Sequence, residues 1–217
     1  MQINLTKDLK EKYPSSTFGS LIIRDTPNRK RNEILEERKR NLEKKIRKSH
    51  VEVAKDNIIN YYNTYFKIWK KVYPIEYQIK TIKSGGKFPQ VSVLVDCMFI
   101  AELNNKILTS GHDLDTIQAD LIFDVSRGGE KFLQLNGQEK ELKKNDLILK
   151  DNEGILASIL YGPTKRTSIT LKTKNTLYFA WCPYAIDEQI IRGHLNEIFF
   201  NVNYVFESIT PKIQLTH

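Results

Sequence analysis

Apolar positions recur along the chain with two different periods. Over residues 32–48 they are sparse: Ile34, Leu35, Leu42 and Ile46 form a thin stripe among Arg, Lys and Glu, which predicts a surface helix. From Ala54 to Val72 they return every three or four residues, through Ile58, Tyr61, Tyr65, Ile68 and Trp69, until Pro74 ends the run. The aromatic stripe of this second helix reads as core rather than as a surface on which bases stack. Residues before about Pro14 are polar and show no clear period. Thr17–Arg24 reads as a short strand, closed by the turn formers Asp25-Thr26-Pro27-Asn28.

Gly85, Gly86 and Pro89 mark the one internal boundary the pattern suggests. Beyond it Ser92 is placed to cap a helix carrying Val93, Leu94, Cys97, Met98 and Ala101 on one side. The period then shortens. Leu121–Val125, Phe132–Leu135, Glu139–Leu142, Leu147–Leu149, Ile155–Tyr161, Ser168–Leu171 and Thr176–Trp181 read as strands separated by turn residues. Asn136-Gly137 lies between two of them and predicts a type I′ hairpin. Asp187 opens a last helix with Ile190, Ile191, Leu195 and Ile198 on its inner side. Helices first, strands in the middle and one closing helix predict an α+β fold, with N-terminal helices packed on a strand-rich core. Residues 1–50 form a basic strand-helix extension and 51–217 the main domain, the whole expected as one compact unit.

The 217 residues suffice for a buried core, and the two cysteines exclude a disulfide scaffold or a Cys/His zinc cluster. No apolar run approaches the roughly 18 residues of a membrane span, and the N-terminus lacks a signal-peptide core. A cytoplasmic protein without membrane contact is the expectation. Charge changes the picture more. Residues 1–90 hold 21 Lys and Arg against 10 Asp and Glu, and residues 91–217 hold 13 against 16. The excess concentrates between Arg29 and Lys48, which hold ten basic residues and four Glu. A field of that sign attracts polyanions, nucleic acid above all. A solvated helix face with pairs such as Glu36 and Arg40 would have the same composition.

Familiar catalytic templates are missing. Gly85-Gly86 lacks the downstream residues of a phosphate-binding loop, and no Gly-x-Ser-x-Gly elbow occurs. Cys97 and Cys182 read as inert packing residues. His50 and His194 fall in charged helical stretches and His217 is terminal. His112 stands apart, because Ser110-Gly111-His112-Asp113-Leu114-Asp115 sets one imidazole beside two carboxylates. That set can move a proton or position a water. It can equally be local structure, with Asp113 capping the next turn.

Leu94-Val95-Asp96, Glu102-Leu103-Asn104 and Leu108 to Asp115 resemble the B3/B4 domain, the tRNA-editing domain of the beta chain of bacterial-type phenylalanyl-tRNA synthetase. Further blocks agree in order: Gly128-Gly129-Glu130 with Phe132 and Asn136-Gly137, Asp146 to Asp151 with Gly154, and Tyr161-Gly162-Pro163 with Arg166, Thr167 and Thr170. Tyr65-Phe66 and the approach from Gly85 to Pro89 look like free-standing members of the family. The resemblance covers roughly residues 55–200. It implies a three-layer α+β core with a pocket for the aminoacylated 3′ end of tRNA, in which a wrongly joined amino acid is hydrolysed. It also implies a departure: the position of the synthetase's editing histidine falls on Ser110, and its Gly-rich pocket segment reads Ala157-Ser158-Ile159-Leu160.

On this footing His112 and Asp113 are the candidate catalytic pair. Ser110, Asp115, Glu130, Ser158, Arg166 and Thr167 are the candidate pocket residues. Glu130 either lines the pocket or closes a strand turn, and Asp151 before Gly154 reads as turn chemistry. Arg166 and Thr167 suit a phosphate or carboxylate, or form a surface loop. Arg38, Lys39, Arg40, Lys44, Lys45, Lys48 and Lys165 are the expected RNA-binding cations. The expected partner is tRNA or another RNA, with no metal or cofactor. Three functions fit: hydrolysis of a mischarged aminoacyl-tRNA, RNA binding without chemistry, or a pocket for free amino acids.

Overall fold

The computed structural model describes every residue except 51–52, 119, 207–211 and 217. In chain order the amino-terminal part runs β1 (Ile3–Leu5), α1 (Lys7–Lys12), β2 (Thr17–Ile23), α2 (Glu33–Lys48), α3 (Asn57–Ile68), α4 (Pro74–Lys83) and α5 (Val93–Asn105). Strands β3 (Thr109–Asp113), β4 (Leu121–Val125), β5 (Lys131–Leu133), β6 (Glu139–Glu141), β7 (Leu147–Asp151), β8 (Gly154–Ser158), β9 (Gly162–Pro163) and β10 (Thr176–Cys182) follow. Helix α6 (Glu188–Phe206) and strand β11 (Lys212–Thr216) close the fold.

One sheet has the order β1-β4-β7-β8-β9, another β11-β2-β10-β3, and β5-β6 form a separate hairpin. Among the described residues only β1 and β4 pair in parallel. Every residue of β2 and β10 is buried, the mark of a sheet covered on both faces. On one side Phe18 and Phe179 stack at 5.2 Å and meet Phe123 of the other sheet edge-on at 5.9 and 5.3 Å. On the other side α6 packs against β2 and β10, and α5 against α6. Sheet, sheet and helices make three layers, so the α+β expectation holds. Residues 1–50 contribute strands to both sheets and α2 to the helical layer.

Several local readings need correction. Pro74 does not merely end a helix. Helix α3 stops at Ile68, Lys70 turns with φ +54°, and Pro74 opens α4, where a missing N–H costs nothing. Ser92 gives α5 no side-chain cap. Asn28 does the work from afar, its Oδ1 accepting Leu94 N at 3.1 Å while its Nδ2 donates to Ser92 Oγ at 3.0 Å. Residues 168–171 form a loop bridged to the sheet at His112 and Ser168, not a strand. Ile190 lies 43% exposed, off the buried face of α6.

At the hairpin Gly137 has φ +82° but Asn136 does not enter that region. Gly137 N donates to Gln134 O at 2.9 Å, so the connection is a turn ending in a left-handed glycine rather than type I′. Helix α2 is thin in apolar residues because Lys39 holds an inner position with Leu35, Leu42 and Ile46. Its Nζ lies 2.7 Å from Asp96 and 2.6 Å from Glu36.

Candidate functional site

The aromatic stripe of α3 fixes the strand ends that carry the site. Tyr62 Oη donates to Trp181 O at 2.6 Å and accepts Leu108 N at 3.2 Å. Tyr65 Oη donates to Asp146 Oδ1 at 3.0 Å and accepts Leu147 N at 2.9 Å. These buried phenols are core, and each also positions backbone of the sheets.

Between α4, α5, β3 and the segment from β8 to β9 lies a cavity of about 580 Å³. Its walls are largely apolar, with Val95, Met98 and Phe99 from α5 facing Ile159, Leu160 and Ile169. Ile159 and Leu160 are buried in the wall and leave the space open. Gly111 belongs to the floor, and a methyl group there would come within 2.8 Å of Ile169 Cδ1 and 3.3 Å of Met98 Sδ.

Polar groups are few and held. Ser110 Oγ accepts Trp181 Nε1–H at 3.0 Å and lies 2.9 Å from His112 Nε2. The other ring nitrogen of His112 is 2.9 Å from Thr167 Oγ1. Burial pushes the His112 imidazole down to about 3, with the Arg166 charge adding to the effect. The ring is therefore neutral at physiological pH. Glu102 is the one carboxyl among the cavity-lining residues. Its Oε1 accepts Thr109 N at 2.7 Å, and burial pushes the carboxyl up to about 8. Gln78 also lines the space, and its Oε1 is buried without a partner.

Of the expected pocket residues, Ser110 and Ser158 line the cavity. Asp115, Glu130, Arg166 and Thr167 do not. Asp113 accepts Thr173 Oγ1 at 2.6 Å and Asp115 N at 3.1 Å, so it is not the partner of His112. Asp115 accepts both bonds from Asn175 Nδ2 at 2.9 Å. Glu130 closes a turn, accepting Ser126 Oγ at 2.6 Å and Arg127 N at 2.7 Å. Arg166 grips Asp151 at 2.7 Å, Glu153 at 3.2 Å and Thr116 O at 3.1 Å, and its guanidinium holds the Asp151 carboxyl below its ordinary range. His112, Asp113, Glu130 and Arg166 therefore do not converge on one space.

The basic helix stands apart from the cavity, and none of its residues lines it. Lys39 is buried and ion-paired, with no surface to offer RNA. Arg38 lies over the Tyr204 ring and Lys45 reaches Asn104. Arg40, Lys44, Lys48 and the loop residue Lys165 are exposed. His194, read as part of a charged helical stretch, is buried against Thr109 Oγ1 at 2.7 Å. Sequence reasoning missed Glu102 and Trp181 as wall residues, since each sits in an apolar run that reads as core, and Gln78, which lies in a mixed stretch with no motif to mark it. Among the described residues no group of His, Cys, Asp or Glu is placed to hold a metal ion. No described helix is long and apolar enough to cross a membrane.

No curated protein matches the chain. Among solved structures, an N-terminal fragment of the phenylalanyl-tRNA synthetase beta-subunit from Pyrococcus horikoshii superposes with a TM-score of 0.51 at 14% identity. The match covers 98% of this chain and 50% of that one, so the chain spans half the length of its structural neighbour. At this identity the likeness shows the fold. The model of the B3/4 domain matches residues 60–197, which hold most of α3, all of α4 and α5 and every wall of the cavity, and on that match over more than half its length the chain belongs to the B3/4 domain family.

Proposed function

We propose that the cavity receives the aminoacylated 3′ end of a tRNA and that the protein hydrolyses the ester of a mischarged one. The observation that carries this reading is Ser110, held between Trp181 and His112 on the floor of an open cavity built from family residues. An aminoacyl ester is activated already, so catalysis asks mainly for placement. Water adds to the carbonyl carbon, the bond to the ribose oxygen breaks, and the water's proton ends on that oxygen.

Ser110 Oγ is the polar atom placed to orient that water. His112 acts through it. Protonating an imidazole with a pKa of about 3 at pH 7 would cost about 5 kcal/mol, so the ring positions Ser110 and does not store the proton. Glu102, kept protonated at neutral pH by its burial, can ionise when a cation such as the substrate's α-ammonium arrives beside it.

Deacylation of a panel of mischarged tRNAs tests the reading. The wild-type protein turns over at least one of them, and Ser110→Ala lowers that rate roughly a hundredfold with tRNA affinity retained. A folded protein that speeds none of them is not a deacylase. Binding without turnover would favour a non-catalytic tRNA-binding module, a reading to which the saturated hydrogen bonds of His112 lend weight.

A further inference from the structure

Three ammonium groups meet at one edge of the cavity. Lys71 follows α3, Lys140 lies on β6 and Lys143 just beyond it. Lys71 Nζ is 4.4 Å and Lys140 Nζ 4.7 Å from the centroid of the Tyr161 ring, and Lys143 Nζ is 6.0 Å from that of Trp69. Lys71 and Tyr161 both line the cavity and both are half-buried, while Lys140 and Lys143 stand outside the lining, near enough for their charges to act on Lys71. Among the described residues none of the three lysines forms an ion pair. Burial, followed by the charges of Lys140 and Lys143, pulls Lys71 below its ordinary range. The acidic group that acts on Lys71 is Asp146, itself buried and pushed up to about 7, hence only partly ionised at neutral pH.

Like charges held together without an anion destabilise the folded protein. Two aromatic rings hold them in place, which long solvated side chains at a bland surface would not need. We propose that Lys71, Lys140 and Lys143 form a phosphate-binding site for the last phosphodiesters of a single-stranded RNA 3′ end whose terminal residue enters the cavity. This rests on the reading of the cavity given above and adds where the strand lies: over the β5-β6 hairpin, not along α2. No residue of the basic stretch 29–48 belongs to it.

The test uses a short single-stranded RNA ending in cytidine-cytidine-adenosine, with inorganic pyrophosphate as a second probe, on the full chain. Lys140→Gln and Lys143→Gln are each expected to weaken RNA binding roughly tenfold, and each to lower the slope of log affinity on log salt by about 0.7. Both variants are expected to melt no lower than wild type, because repulsion is relieved; a merely structural lysine would move stability the other way. RNA binding that persists undiminished in both variants and in Lys71→Gln overturns the proposal and leaves the cavity reading standing. Pyrophosphate binding at these lysines that RNA does not displace overturns the assignment to RNA. Failure of wild type to bind the RNA at all removes both.

Discussion

Asp146→Ala is expected to lower stability by about 2–5 kcal/mol, a large share of the roughly 5–15 kcal/mol that a domain has in total. The carboxyl is buried and accepts the hydroxyls of Tyr65 and Ser158. Ser158 Oγ in turn accepts Leu160 N and Tyr161 N, each at 3.2 Å. Removing the acceptor strands two buried donors at about 1–3 kcal/mol each and loosens the wall that Ser158, Leu160 and Tyr161 build. Asp146→Asn keeps one acceptor and is expected to cost less.

The pH dependence separates these effects. Burial raises the Asp146 carboxyl to about 7, above the roughly 3.9 of an unfolded chain. The folded state then holds the proton more tightly, so this contribution is fully present in acid and lost as pH rises from about 4 through 7. The gap between wild type and Asp146→Asn should therefore narrow as pH rises from 5 to 8. His112 and His194, both held down to about 3 by burial, act in the opposite sense and lose stability as pH falls below about 6.5. They are common to both proteins and cancel in the difference. Denaturant melts of the two across that range check the sign.

Val95→Trp is expected to abolish function rather than folding. Val95 is half-buried on α5 and faces the open cavity, so an indole there occupies space the substrate needs. The overpacking penalty of about 1–3 kcal/mol belongs to filled cores, and this position has room. Binding of an aminoacyl-tRNA should fall by at least about a hundredfold, equivalent to about 3 kcal/mol, with melting little changed. Val91→Trp, at a lining position 52% exposed, supplies a second block with less risk to the fold. Retained binding in both folded variants would place the ligand outside the cavity.

The strands with β-branched and aromatic runs, β2, β4 and β10, and the amphipathic helices α2, α3 and α6 were legible because burial imposes their periods. The family blocks, from Leu94 to Thr170, pointed to the fold that forms. The site was harder to read. Ser110 and Ser158 reach the cavity, but Glu130 is held by Ser126, Arg166 by Asp151 and Asp115 by Asn175, none of them a lining residue. Adjacency in sequence suggested a His112-Asp113 pair, yet successive residues of a strand point to opposite faces. Lys39 shows the same limit: a basic run declares its charge, while only the fold reveals that Asp96, 57 residues away, neutralises one member. The lysine cluster was not legible because Lys140 and Lys143 sit among Glu139, Glu141 and Lys144 in a stretch of mixed charge, and only the fold brings Lys71 from 69 residues away to the same ring.

The terminal aminoacyl group is expected to sit over Ser110. The most direct measurement is a nuclear magnetic resonance titration with a 3′-aminoacylamino-adenosine, whose amide replaces the hydrolysable ester. The Trp181 indole N–H, the Gly111 amide and the Met98 methyl are expected to shift together and saturably. Shifts confined to α2, or none at these three groups with the ligand bound elsewhere, would contradict this placement.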